Sequence, residues 1–573
     1  MSWLGGNYRL KRNVGFIFLG LALGWGIFTF LVYPNLSLLK LTLFPEGAFD
    51  AGPVTRIMAS QRVKTALLNS FILAVCLTIT ANILGLFEIF ILDYYQIPGV
   101  KWLNIAYHSP LICNGMVLVI AYNFILGSQG FLTANLMEAN PGLNPYWFQG
   151  FWAVLIEMTF SGTSNHMMFV RDALRNIDYQ TIEAAQNMGV RPWRILSRVV
   201  LPTLKPSIFA ASILIFITGI SAFATPQVLG GEEFETINPL IMSFSRTLTT
   251  RNYAAVLAIF LGLITILVLM ISNYVEKKGN YISVSKVKTP LRKQKIRTPL
   301  LRWAVTVAAH LFALIQTVPL LFVLLFSFMP VQDLYGGKID ITHFSLDNYL
   351  AVIRSVTGLR PVLTSVIYSA CAAVIVVTIM LFIARILTKY HNRLTGILEL
   401  FLQIPWFLPA TLIALGLIMT FDRPRILTFG LTLTGTVYIM LIAYVILKIP
   451  YTLRMIKAAY ASLDNSLEEA AKNLGASPFR TYYKVLLPVI WPTVLSVFLL
   501  NFIQQLSEYD VSVFLFHPMF QPLGVVLNTA TSPDAAPEAQ MLTFVYSMII
   551  MAVSAAAIIF VYGRKNAALR KFQ

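Results

Sequence analysis

Two carboxylates, Glu508 and Asp510, stand inside an apolar run at 494–516, beside the amides Gln504 and Gln505 and the hydroxyl of Ser507. Ionisable side chains are expensive in an apolar setting and mark functional positions there. Paired acids favour a cation, either a metal ion or an organic amine. Hard carboxylate oxygens suit Fe³⁺ among the metals. On a continuous helix, residues i and i+2 point about 200° apart, so the two cannot face a central path equally. Glu508 is favoured for the path, with Asp510 pairing to a neighbouring helix or lying near an outer mouth. Gln505 joins them as a polar lining residue. Glu157 in the run 150–170 and Glu88 in the run 66–92 are further isolated acids. For each acid, an interhelical hydrogen bond is the competing role. His108 and His166 are ligand types for a metal, but their Ser and Asn neighbours suit hydrogen-bonded packing, and no resident metal is expected. No His, Ser or Asp groups converge at a catalytic spacing, which argues against an enzyme.

These groups sit on an apolar chain. Of 573 residues, 57% are hydrophobic and 12% charged, and the mean hydropathy is +0.72. Soluble domains carry about 25% charged residues, so a cytosolic enzyme and a disordered scaffold are excluded. A bilayer crossing needs about 20 mostly apolar residues. Such runs fall at 14–33, 66–92, 103–127, 150–170, 207–230 and 254–275. Six more fall at 303–329, 364–388, 396–420, 427–450, 494–516 and 541–562. The fold class is therefore all-α, a polytopic membrane protein of about twelve transmembrane helices. The first run is too long for a signal-peptide core and is read as a retained helix. Cys76, Cys113 and Cys371 all lie in apolar runs and indicate neither a disulfide framework nor a zinc site.

The net charge is +18, from 43 Lys and Arg against 25 Asp and Glu. In an apolar chain this points to basic cytoplasmic loops rather than to nucleic acid. The start of the chain (Arg9, Lys11, Arg12), the segment 276–302 and the tail (Arg564, Lys565, Arg570, Lys571) are all basic. With twelve spans they share one side, so both termini are expected in the cytoplasm. Segment 276–302 holds nine Lys and Arg against the single Glu276. It reads as a linker between two halves, solvated or touching anionic lipid.

The halves repeat. Glu183-Ala184-Ala185, Gly189, Pro192, Arg194, Val199, Leu201, Pro202 and Pro206 recur as Glu469-Ala470-Ala471, Gly475, Pro478, Arg480, Val485, Leu487, Pro488 and Pro492. The offset is 286 throughout; with Asn187 and Asn473, eleven of 24 positions are identical, and Asp178 and Asp464 match just upstream. Repetition over so long a span is the mark of a duplicated unit. Residues 171–188 and 457–474 favour helix. Gly189 and Gly475 suit the left-handed position that ends one. Pro192 and Pro478 suit the first turn of the next, with Ser477 as its cap; Arg191 caps the first copy more weakly. Leu-Pro at 201–202 and 487–488 is expected to end that second helix. Each loop is thus a helix–Gly–helix elbow. The basic pairs Arg194 with Arg198 and Arg480 with Lys484 fit the positive-inside bias.

The pattern Glu-Ala-Ala-x3-Gly-x12-Pro resembles the cytoplasmic "EAA" loop of permease subunits from bacterial binding-protein-dependent ABC importers. Ser109-Pro110, Ile404-Pro405, Phe223-Ala224-Thr225-Pro226 and Leu229-Gly230-Gly231 extend the likeness. Two fused permease domains resemble the ferric-iron and thiamine importers. The resemblance implies a first permease domain at 1–278 (loop about 171–206), a basic linker at 279–300 and a second domain at 301–573 (loop about 457–492). It implies that Glu183, Ala184, Ala185 and Gly189, and Glu469, Ala470, Ala471 and Gly475, dock two copies of an ATPase subunit. Ferric iron is the favoured cargo, with thiamine, polyamine or 2-aminoethylphosphonate as alternatives.

A phosphate loop ends in Gly-Lys-Ser/Thr. The nearest fragment, Gly336-Gly337-Lys338, continues with Ile339-Asp340. A separate ATPase is therefore expected to bind ATP and Mg²⁺, with no cofactor on this chain, and an extracytoplasmic binding protein to deliver the cargo. The rival from another class is a secondary transporter of six plus six helices, which would not need paired elbows. The expected location is a bacterial cell membrane.

Overall fold

The computed structural model describes residues 20–44, 48, 50–112, 115–247, 249–278, 289, 291–296, 298–335, 339–390, 392–532 and 535–570. Arg9, Lys11, Arg12, Lys571, Cys113 and Gly336 to Lys338 lie outside them, as do the side chains of Arg564, Lys565 and Arg570. In the first half the helices are α1 (Gly20–Leu43), α2 (Gln61–Tyr94), α3 (Val100–Ile112), α4 (Met116–Ala139), α5 (Phe151–Gly162), α6 (Tyr179–Asn187), α7 (Pro192–Ile220) and α8 (Arg251–Ile271). The second half has α9 (Pro299–Phe326), α10 (Val356–Lys389), α11 (Arg393–Phe407), α12 (Ala410–Phe421), α13 (Val437–Ala461), α14 (Asn465–Asn473), α15 (Pro478–Leu506) and α16 (Pro537–Phe560). Shorter turns of helix join them.

Helix α2 shows why these segments fold as they do. Val63, Ala66, Ser70, Leu73, Leu77, Ala81 and Leu84 are buried at helical spacing, while Leu68, Ile72, Ile79 and Ile83 are exposed. One face packs on protein and the other is apolar enough to meet lipid.

Ten helices among the described residues are long and apolar enough to span a membrane, or eleven if α11 and α12 form one bent span. Not all twelve runs are continuous: 103–127 is divided between α3 and α4, with Gly115 at φ +62° just ahead of Met116, and two others are bent or interrupted. The run 396–420 bends by 105° between α11 and α12. Pro409 caps α12, and a proline forces the residue before it out of the helical region; Leu408 is extended at φ −106°, ψ 133°. The run 150–170 is interrupted at Thr163, after α5.

The halves are interleaved. Leu31 of α1 is buried with Ala372, Ile413, Phe421 and Tyr444 of the second half. Reciprocally, Ala309 and Ala313 of α9 are buried with Leu103, Ala106 and Tyr107 of the first. The Tyr107 hydroxyl donates to Ala309 O at 2.8 Å. Each leading helix therefore packs on the opposite half.

The expected stop at Leu-Pro does not occur. Both α7 and α15 run on through Pro202 and Pro488. A wider π turn precedes each proline, at Leu196–Val200 and at Tyr482–Leu486, again 286 apart. In a regular α-turn the proline ring would strike the carbonyl four residues back; the wide turn makes room for it.

Candidate functional site

Helices α7 and α15 both end at one cavity of about 440 Å³, lined from both halves. Glu157 and Ser161, the stretch Ser221 to Thr225, the bend at Trp406 and Leu408 to Ala410, and Gln504 with Ser507 to Asp510 form its wall. Ser221 and Ser507 are repeat equivalents. The acids are not: Ala222, Ala224 and Ala443 stand at the positions matching Glu508, Asp510 and Glu157. Cavity chemistry has diverged while the frame has stayed duplicated.

The structure brings Glu157, Glu508 and Asp510 together, and it corrects the choice between the last two. Helix α15 stops at Leu506 and the next turn of helix is Ser512–Leu515. Glu508 and Asp510 lie in the break, so the 200° argument does not apply and both line the cavity. Glu508 is committed to the backbone: Oε1 accepts from the Val511 amide at 3.0 Å. Its Oε2 accepts from the Ser512 amide at 3.2 Å and the Ser512 hydroxyl at 2.6 Å. Asp510 makes no hydrogen bond or ion pair among the described residues, and it is the open acid. Glu157 is 2% exposed and accepts from the Thr225 hydroxyl at 2.8 Å.

Gln505 faces away from the cavity, since its amide donates to Tyr444 O at 2.9 Å. Gln504 lines the cavity in its place and accepts from Lys448 Nζ at 2.9 Å. Lys448 escaped the sequence reading. Its signal was plain, a lysine inside the apolar run 427–450. Glu88 is fully buried and is not part of the wall. His166 hydrogen-bonds Asn82 Oδ1 through Nε2 at 3.1 Å. His108 donates from Nδ1 to Asn104 O at 2.6 Å and accepts at Nε2 from Arg171 at 2.7 Å. Both histidines have the packing role. Among the described residues, no group of three or more His, Cys, Asp and Glu is placed to hold a metal ion.

Each elbow lies at the other end of its 29-residue helix, about 43 Å from the cavity. Asp178 and Asp464 cap α6 and α14, accepting from the Gln180 amide at 3.1 Å and the Ser466 amide at 2.9 Å. Gly189 and Gly475 follow with φ +74° and +76°. No atom lies within 4 Å of where a Cβ would stand, so backbone conformation alone demands glycine there. Ser477 caps the next turn through the Arg480 amide, whereas Arg191 makes no such bond. Glu183, Ala184, Glu469 and Ala470 are exposed, and Ala185 and Ala471 are buried. A second matched set was not anticipated. Met188 and Trp193 are 75% and 71% exposed, and their equivalents Leu474 and Phe479 are 87% and 72% exposed. Large apolar side chains held out in a polar loop mark an interaction surface; their matched positions in the repeat were the available signal.

A duplicated all-α membrane bundle, with twin elbows each joined by one long helix to a shared polar cavity, defines a permease of the ABC importer class. Residues 51–279 and 381–570 match the family described as binding-protein-dependent transport system inner membrane component, and the chain belongs to it. It is 37% identical over 557 residues to a probable ABC transporter permease protein, y4fN, of Sinorhizobium fredii, covering 96% of each chain. It is 22% identical over 497 residues to the putative ferric transport system permease protein FbpB 1 of Haemophilus influenzae, covering 85% of this chain and 76% of that one. It is also 27% identical over 241 residues to the putative 2-aminoethylphosphonate transport system permease protein PhnU of Salmonella typhimurium, covering 40% of this chain and 82% of that one.

Proposed function

We propose that this chain forms the membrane path of an ATP-driven importer whose elbows dock two ATPase subunits at the cytoplasmic face. The carrying observation is the pair of exposed surfaces at the elbows: Glu183, Ala184, Met188 and Trp193 on one, Glu469, Ala470, Leu474 and Phe479 on the other. Ala185 and Ala471 let α6 and α14 seat closely on the bundle, and Gly189 and Gly475 set the bend. ATPase closure pushes the elbows, and α7 and α15 carry the push to the cavity. The chain works as two permease units, 1–278 and 301–573, joined by the linker 279–300, with both termini in the cytoplasm of a bacterial cell. ATP and Mg²⁺ are handled by the ATPase, and a binding protein delivers cargo from outside.

The favoured cargo is ferric iron. The cavity wall is acidic, with Asp510 its open carboxylate. Hard carboxylate oxygens along a path suit a hard cation in passage, and the likeness to ferric permeases agrees with this. Lys448, reaching the cavity wall through Gln504, favours a second reading. A zwitterion such as 2-aminoethylphosphonate would place its amine toward Asp510 and its phosphonate toward Lys448. Uptake of Fe³⁺, thiamine, putrescine and 2-aminoethylphosphonate by cells expressing the transporter and its binding protein separates these. Iron uptake that stops when the ATPase is inactivated is expected; uptake that continues would sink the assignment.

A further inference from the structure

The linker is more than a tether where it meets the first elbow. The Gln294 amide donates to Tyr94 O at 2.7 Å and the Gln96 amide to Gln294 O at 2.9 Å, so the linker pairs with the end of α2. Leu291 and Ile296 pack against the buried cluster that contains Ile182 and Ala185 of α6. The same segment also bonds α6 and its cap directly. The Tyr179 amide donates to Thr289 O at 3.2 Å, and the Thr289 amide to Asp178 Oδ1 at 3.2 Å. The Gln186 side chain donates to Gln294 Oε1 at 2.7 Å, and the Arg292 guanidinium sits 5.5 Å over the Tyr179 ring. Polar links and apolar anchors therefore hold one short helix from its cap to its last turn.

The second elbow is held by different chemistry. Glu468 occupies the position that matches Ile182. Its carboxylate accepts from Lys389 at 2.7 Å and pairs with Arg385, both at the end of α10. Among the described residues no segment pairs with α14 as Thr289 and Leu291 to Ile296 pair with α6.

We propose that Thr289 and Leu291 to Ile296 form a strap that is part of the first ATPase-docking site, so that the two sites are held by unlike forces. Helix α6 is clamped by backbone pairing and apolar burial, α14 by ion pairs; the ion pairs of the first loop, Arg171 and Arg175 with Asp93, lie ahead of α6. This rests on the reading of the elbows as docking sites. Salt screens charges over about 3 Å at about 1 M, and therefore loosens α14 while leaving α6 seated.

Amide hydrogen exchange on the purified permease without its partners tests the strap. Replacing Leu291 and Ile296 together by Asn is expected to speed exchange across 179–190 by at least about tenfold and to leave 465–476 unchanged. Thr289→Pro removes one donor without disturbing the apolar anchors, and is expected to act on the same residues more weakly. Glu468→Gln, or high salt, should do the converse. Unchanged exchange at 179–190 in both strap variants, or equal responses from the two elbows, would overturn the proposal. The expected exchange pattern with undiminished ATPase binding by the strap variants would overturn the strap's place in the docking site. Undiminished binding after Met188→Ser with Trp193→Ser would overturn the docking reading of the elbow.

Discussion

The Glu508 carboxylate bonds Ser512 twice, through the amide at 3.2 Å and the hydroxyl at 2.6 Å. This pairing joins the break after α15 to the turn that follows it, and it leaves Asp510 as the acid open to the cavity. Structural and cargo-contacting roles are thereby divided between two carboxylates two residues apart. Hydrogen bonds to a charged group contribute about 1.5–3 kcal/mol. Glu508→Ala is therefore expected to lower the thermal midpoint of the purified protein. Asp510→Asn should keep the midpoint and reduce uptake at limiting cargo by about tenfold, a loss of about 1.4 kcal/mol. Uptake assays beside thermal scans separate the two; normal uptake by Asp510→Asn would remove it from the path.

Gly189 and Gly475 adopt φ values that cost an L-residue about 1–2 kcal/mol. Alanine at either place meets no atom, because the space beside each is open, but is expected to lower stability by about that backbone cost. Proline cannot adopt the conformation, since its ring holds φ near −65°. Gly189→Pro or Gly475→Pro should insert into the membrane normally yet hydrolyse ATP without transport. Measured as cargo moved per ATP, an unchanged ratio in both variants would remove the lever.

Met188, Trp193, Leu474 and Phe479 are exposed in the permease alone, so replacing them by Ser should leave its stability unchanged. An apolar side chain covered by a partner contributes about 1.5–3 kcal/mol. The double change Met188→Ser with Trp193→Ser should then weaken ATPase binding by at least about tenfold, as should the matching pair at the second elbow. Pull-down of the ATPase at varied concentration reads this directly.

Lys389 and Arg385 hold the Glu468 carboxylate below the usual glutamate range, against a smaller push from burial. A depressed carboxylate stabilises the fold fully above its unfolded value, near 4.3. That stabilisation fades as pH falls through the lower folded value. Anchoring of α14 is therefore expected to be constant from neutral pH down to about 5 and to weaken below about 4.3. A fluorescent probe at position 466 should report release in that window in the parent and no such transition in Glu468→Gln.

Much of the elbow was legible in the sequence because its determinants are local. A capping aspartate, a glycine at positive φ and a proline in the first helical turn act within a few residues, and their duplication separated them from chance. Proline at 202 and 488 misled, because a π turn one step upstream accommodates a ring that a regular helix would reject. Glu508 and Asp510 were assigned opposite roles because they were placed on one unbroken helix. The break at 507–511 is closed locally by the Glu508 cap, but its packing is long-range, with Tyr509 against Phe223 of the other half.

What the sequence determined by itself is the apolar all-α class, the duplication at 286 residues and the local build of both elbows. Each follows from composition or from contacts within a helical turn. Only the tertiary structure decided that the leading helices exchange halves, that Asp510 rather than Glu508 is open, that Lys448 reaches the cavity wall and that the linker clamps one elbow. Those depend on which surfaces meet across hundreds of residues, where many apolar pairings look alike in sequence and packing in three dimensions selects among them.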